Sequence, residues 1–90
     1  MEDITKSSEF ETVLKMLFLC VPGKTIEALA YAEEEDICFF HLGLGAWIRN
    51  NLLSPDAALF EFFVENGITC ADDMSGLIIR KFYMLVRRTY

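Results

Sequence analysis

The 90-residue sequence predicts an all-α fold, a compact bundle of four or five short helices with an apolar helix at about 34–51 in its centre. Three observations predict it. Apolar residues recur at i, i+3, i+4 and i+7 in successive stretches, the period of a helix buried along one side. Capping residues and Gly or Pro stand where those stretches begin and end. The β-branched residues are few and never alternate with polar ones, so no strand is expected.

The first helix is expected from Ser8, which forms an S-x-x-E capping box with Glu11. Phe10, Val13, Leu14, Leu17 and Phe18 make its buried stripe, and Pro22-Gly23 ends it. Residues 1–7 are expected to be a flexible start to a single domain covering 1–90. Thr25 is the expected cap of a second helix through about Tyr31, and the acids of EEEDI suit the first turn of a third. No Gly or Pro separates these two, so one bent helix from Thr25 to Asn51 is the alternative.

The third helix is apolar nearly all round: Ile37, Phe40, Leu44, Trp47 and Ile48 form a stripe with Phe39, Leu42 and Ala46 beside it. That pattern predicts neighbours on several sides. Ser54-Pro55-Asp56 reads as the start of a fourth helix and Gly67 as its stop. Its Phe60, Phe62, Phe63 and Val64 cover more arc than one core contact needs, which makes Phe60, Phe62 and Phe63 the expected partner surface. Asp72 is the expected cap of a last helix whose wet side carries Arg80, Lys81, Arg87 and Arg88.

Charge and cysteine usage narrow the function. The net charge is −6, with all 14 acids before residue 80, so nucleic acid is not an expected partner. The four cations after residue 79 fit the end of a helix dipole. No apolar run approaches a membrane span or a secretory signal. Cys20, Cys38 and Cys70 are odd in number and lack a CxxC pair, which implies a reducing, cytoplasmic setting and buried thiols.

Three motifs fail on chemistry. PGKT at 22–25 lacks the earlier glycine of a phosphate loop, because Phe18 stands there. GLGAWI at 43–48 has Ile48 at the third glycine position and no strand before it. Cys38 and His41 lie one turn apart, but no second pair shares such spacing, so neither a metal nor a cofactor is expected.

The unusual residues lie in HLGLGAWIRNN at 41–51. His41, Gly45 and Arg49 stand at i, i+4 and i+8, one ridge with a notch between two polar side chains. Arg49, set beside Trp47 and Ile48, needs an anion, and Asp72 and Asp73 are the expected partners in a structural clamp. Asn50 and Asn51 are expected to cap the helix end. The alternative keeps His41, Arg49, Asn50 and Asp73 around an open pocket for an anionic ligand, or for hydrolysis with Asp72 or Asp73 as base.

FHLGLGAWIRNN at 40–51 together with DDMSG at 72–76 resembles an uncharacterised family of small bacterial domains of unknown function, over the chain from Glu33 onward. The resemblance implies that His41, Gly43, Gly45, Trp47, Arg49, Asn50, Asp72 and Asp73 form one shared constellation, and it implies no activity. This chain departs from the family pattern at Cys70-Ala71, where His-Pro is usual, and at Leu52-Leu53-Ser54-Pro55, where Gly and Trp are common. A structural clamp tolerates both changes better than a metal or catalytic site does. The resulting expectation is a small non-enzymatic interaction or regulatory protein, immunity- or antitoxin-like, that binds a protein partner or itself.

Overall fold

The computed structural model of the chain describes residues 6–89. Five α-helices and one 3-10 segment follow in order: α1 Ser8–Cys20, α2 Gly23–Tyr31, the 3-10 segment Glu34–Phe39, α3 Phe40–Asn51, α4 Ala58–Glu65 and α5 Ala71–Thr89. No strand occurs among the described residues. The radius of gyration is 12.5 Å, about that of a close-packed chain of this length.

Helix α1 starts on Ser7, whose hydroxyl oxygen accepts from the Phe10 amide at 3.2 Å. The helix begins at Ser8 as expected, but the cap is Ser7, one residue before the expected Ser8, because Ser7 has the extended backbone a cap needs, whereas Ser8 is already helical. Of the flexible start expected over 1–7, residues 1–5 lie outside the described residues. Phe10, Val13 and Leu17 are buried as the stripe predicts.

Helix α2 begins at Gly23 on Pro22, whose carbonyl accepts from the Thr25 and Ile26 amides. Thr25 therefore lies inside the helix and does not cap it. The chain between α2 and the 3-10 segment is broken: Ala32 and Glu33 are both extended, so one bent helix from Thr25 is excluded. The Tyr83 hydroxyl fixes the break by donating to the Ala32 carbonyl at 2.8 Å.

Ser54-Pro55-Asp56 forms a turn rather than a helix start. The Ala57 amide donates to the Ser54 carbonyl at 2.9 Å, Ala57 returns to extended backbone, and α4 follows. Gly67 ends α4 as expected, at φ 88, a left-handed angle that glycine adopts without a Cβ penalty. Its amide bonds to Val64 and that of Ile68 to Phe63, the paired closure of a helix terminus.

The helix at the centre is α5, not α3. The long α5 packs against α1, α2, α3 and the 3-10 segment. It buries Met74, Ser75, Ile78, Ile79, Phe82, Tyr83 and Val86 on a wide face. Phe18 meets Phe82 edge to face with centroids 5.0 Å apart, and Phe63 of α4 meets Phe10 of α1 at 6.0 Å. Helix α3 buries Leu44, Gly45 and Ile48 toward α5 but leaves its other side open, with Leu42 84% and Phe39, just before the helix, 71% exposed. Sequence alone does not separate a helix apolar because it is enclosed from one apolar because a face is left uncovered.

Candidate functional site

Two ridges run along α3 about half a turn apart, and each carries a glycine between two large side chains. The inner ridge is His41, Gly45 and Arg49. Gly45 is buried, and a methyl group on it would come within 3.1 Å of Arg49 Nη1 and 3.3 Å of Ile79 Cδ1. The notch is thus filled by the arginine's own guanidinium and by α5. A second glycine, Gly76 of α5, receives the His41 imidazole, whose Cε1 would lie 3.1 Å from an added Cβ.

The guanidinium is held by three groups. Nη1 donates to the Ser75 hydroxyl oxygen at 3.0 Å, Nη2 to the His41 carbonyl at 3.4 Å, and Nε lies 3.6 Å from Asp72 Oδ1. Ser75 is fully buried and donates in turn to the Asp72 carbonyl at 3.1 Å. The carboxylate near Arg49 is that of Asp72, and it is 81% exposed while the arginine side chain is 26% exposed. An ion pair so open to water contributes about 0–1 kcal/mol, so the buried Ser75 bond is the tighter constraint. Asp73 is exposed, and no ion pair joins it to Arg49.

Asp72 and Asp73 lie within the first turn of α5, whose first backbone bond runs from the Met74 amide to the Cys70 carbonyl. Neither is the cap residue expected of Asp72; both sit where an acid favours the helix dipole. Asn51 closes α3, its side-chain amide donating to the Trp47 carbonyl at 2.9 Å, while Asn50 is exposed. Ser75, His41 and Asp72 converge without making a nucleophile, because the Ser75 hydroxyl donates to a backbone carbonyl and accepts from Arg49.

Trp47 does not belong to this constellation. It lies on the outer ridge, where Phe39, Gly43 and Trp47 again stand at i, i+4 and i+8. That ridge forms one wall of an open groove of about 470 Å³. Pro22, Thr25 and Ala28 of the α2 region face it across the floor, and Cys20, Val21, Lys24, Phe40 and Leu44 complete the lining. A methyl group on Gly43 would meet nothing within 4 Å. Leu19 and Leu42 are also strongly exposed.

The expected partner surface on α4 is reduced accordingly. Phe63 is fully buried in the core, Phe60 packs against it, and Phe62 is half-buried over a smaller groove of about 320 Å³ between α1 and α4. Phe63 is turned inward on α4 and meets Phe10 edge to face. The three thiols, expected to be buried, are all exposed, and Cys20 lines the larger groove. Nothing in the sequence marks Ser75 as the partner of Arg49, whereas the outer ridge is legible in the 39, 43, 47 spacing.

These features define a small all-helical domain with a polar cluster between α3 and α5 and an apolar groove between α2 and α3. No helix among the described residues is long and apolar enough to cross a membrane. The chain belongs to a family described as a domain of unknown function (DUF6794), whose model matches residues 8–85. Searches among curated proteins and among solved structures found no match.

Proposed function

We propose that this domain acts by binding a protein partner, as a small interaction or regulatory module of immunity or antitoxin type, rather than by catalysis. The observation that carries the proposal is the apolar groove beside α3, lined by the exposed Phe39 and by Trp47, with Leu42 and Leu19 exposed next in sequence to its lining residues Gly43 and Cys20. Contiguous exposed apolar surface on a small domain marks a docking site, because its hydration is costly and a partner relieves that cost. The net charge of −6 favours a basic partner and rapid encounter.

In this reading Arg49, Ser75, His41 and Asp72 belong to the frame: they fix α3 against α5 and so hold the groove wall in place. A ligand pocket centred on Arg49 and Asp73 finds no comparable support, since Arg49 Nη1 and Ile79 fill the notch.

The test combines two variants. Phe39→Ser with Leu42→Ser should leave thermal unfolding unchanged and abolish binding of a purified partner first isolated with the wild-type protein from the cells that make it. Arg49→Met should lower stability by about 1–2 kcal/mol and leave that binding intact below its melting temperature. A partner that binds the double-serine variant as well as wild type, or failure to isolate any partner, overturns the proposal.

A further inference from the structure

We infer that the 3-10 segment Glu34–Phe39 is a strap with two states: latched to α5 at its leading end it keeps the 3-10 form, and released it winds into α-helix as the first turns of α3. The inference is independent of the docking reading given above.

The segment is unusual for its length. One 3-10 turn is an ordinary entry to an α-helix, but runs beyond three or four residues are uncommon because their hydrogen bonds are poorly aligned. Here six residues adopt that form and pass without a break into α3. The Asp36 amide donates to the Glu33 carbonyl at 2.9 Å and the Phe40 amide to that of Ile37, so the three-residue step holds at both ends. The sequence does not ask for it. Residues 33–42 contain no Gly or Pro, and Ile37, Phe40, Leu44 and Ile48 follow the period of an α-helix. Glu34, Glu35 and Asp36 suit its first turn.

The physical cause lies in how the two ends are held. The Tyr83 hydroxyl donates to the Ala32 carbonyl at 2.8 Å and Arg80 pairs with Glu34 at 3.0 Å, which ties the leading end to α5. Arg49, bonded to Ser75, ties α3 to the same helix. Six residues span about 12 Å as a 3-10 helix and about 9 Å as an α-helix. The longer form bridges ends that α5 keeps apart.

Passage between the states is short. Phe39 at ψ −22° and Phe40 at ψ −13° already lie in the right-handed helical region, so winding needs a modest turn at each residue and crosses no forbidden backbone. With α3 fixed, the buried Ile37 turns by about 60° and Glu34 by about 120°. Glu34 thereby leaves Arg80. Both members of that pair are exposed, so salt or a competing ion loosens the latch.

Nuclear Overhauser spectra of the whole chain read the two forms, because contacts from the α proton to the amide four residues on belong to the α-helix and those to the amide two residues on belong to the 3-10 form. Wild type should lack the four-residue contacts from Glu34 to Phe40 and show the two-residue set. Arg80→Ala combined with Tyr83→Phe removes both holds and should gain the four-residue contacts there, with those of α1, α2 and α5 unchanged. Arg80→Ala alone, a change at an exposed side chain, serves if the pair does not fold and should show the same contacts at lower intensity.

A complete set of four-residue contacts in wild type overturns the latched state. A folded variant that keeps the 3-10 pattern overturns the role of α5 in holding it. Loss of every helical contact between residues 34 and 39 in that variant overturns the wound state.

Discussion

Gly43 and Gly45 are two residues apart in one helix and face opposite demands. In a helix interior glycine costs about 0.5–1 kcal/mol relative to alanine, through the backbone freedom it loses on folding. Nothing within 4 Å of Gly43 repays that cost in the isolated domain, whereas Gly45 is the place where Arg49 and Ile79 fit. Gly43→Ala should therefore raise unfolding free energy by about 0.5–1 kcal/mol in chemical denaturation. Gly45→Ala should lack this gain, since its methyl group must displace the guanidinium from Ser75 or push Ile79, both part of the contact with α5. Equal stabilisation by the two substitutions would show that the inner ridge has room to spare.

At the level of elements, apolar periodicity was readable and the capping residues were not: the expected caps Ser8, Thr25 and Asp72 all lie inside their helices. The stripe of α1 and the stop at Gly67 follow directly from residue spacing and from the left-handed backbone angle that glycine adopts without a Cβ penalty. At α1 the cap moved while the start did not, because two residues compete: Ser7 and Ser8 are chemically equal, and backbone angles imposed by packing decide between them. Ser7→Ala should cost about 1 kcal/mol in thermal or denaturant unfolding, with Ser8→Ala close to neutral because its hydroxyl reaches only the exposed Glu9 carboxylate. The reverse order would restore Ser8 as the cap. Other features were not legible because they join distant stretches. The Tyr83 hydroxyl on the Ala32 carbonyl spans 51 residues, and Arg49 on Ser75 spans 26. The candidate site was half legible on the same grounds. His41, Gly45 and Arg49 do meet the start of α5, as their shared face suggested, but which hydroxyl or carboxylate they meet depends on how α5 is rotated.

For the molecule as a whole, the arrangement around α5 decides how a loss of packing spreads. A domain of this size is stable by roughly 5–10 kcal/mol, a small surplus over the entropy of the unfolded chain. Phe82 is fully buried on α5, where it meets Phe18 of α1 edge to face, and α5 also packs on α2 and α3. Emptying that position removes contacts at the helix on which α1, α2, α3 and the 3-10 segment all pack, so Phe82→Ala should cost about 3–5 kcal/mol and lower the melting temperature of these helices together. Phe62, though part of the same aromatic-rich run that marks α4 in the sequence, is half-buried and touches Phe63 from outside. Phe62→Ala should cost less than about 1.5 kcal/mol. Circular dichroism and tryptophan fluorescence distinguish the outcomes: coincident transitions in Phe82→Ala, displaced well below wild type, support α5 as the common support. A Phe82→Ala protein in which Trp47 fluorescence still melts at the wild-type temperature would instead place the cohesion of α3 outside α5.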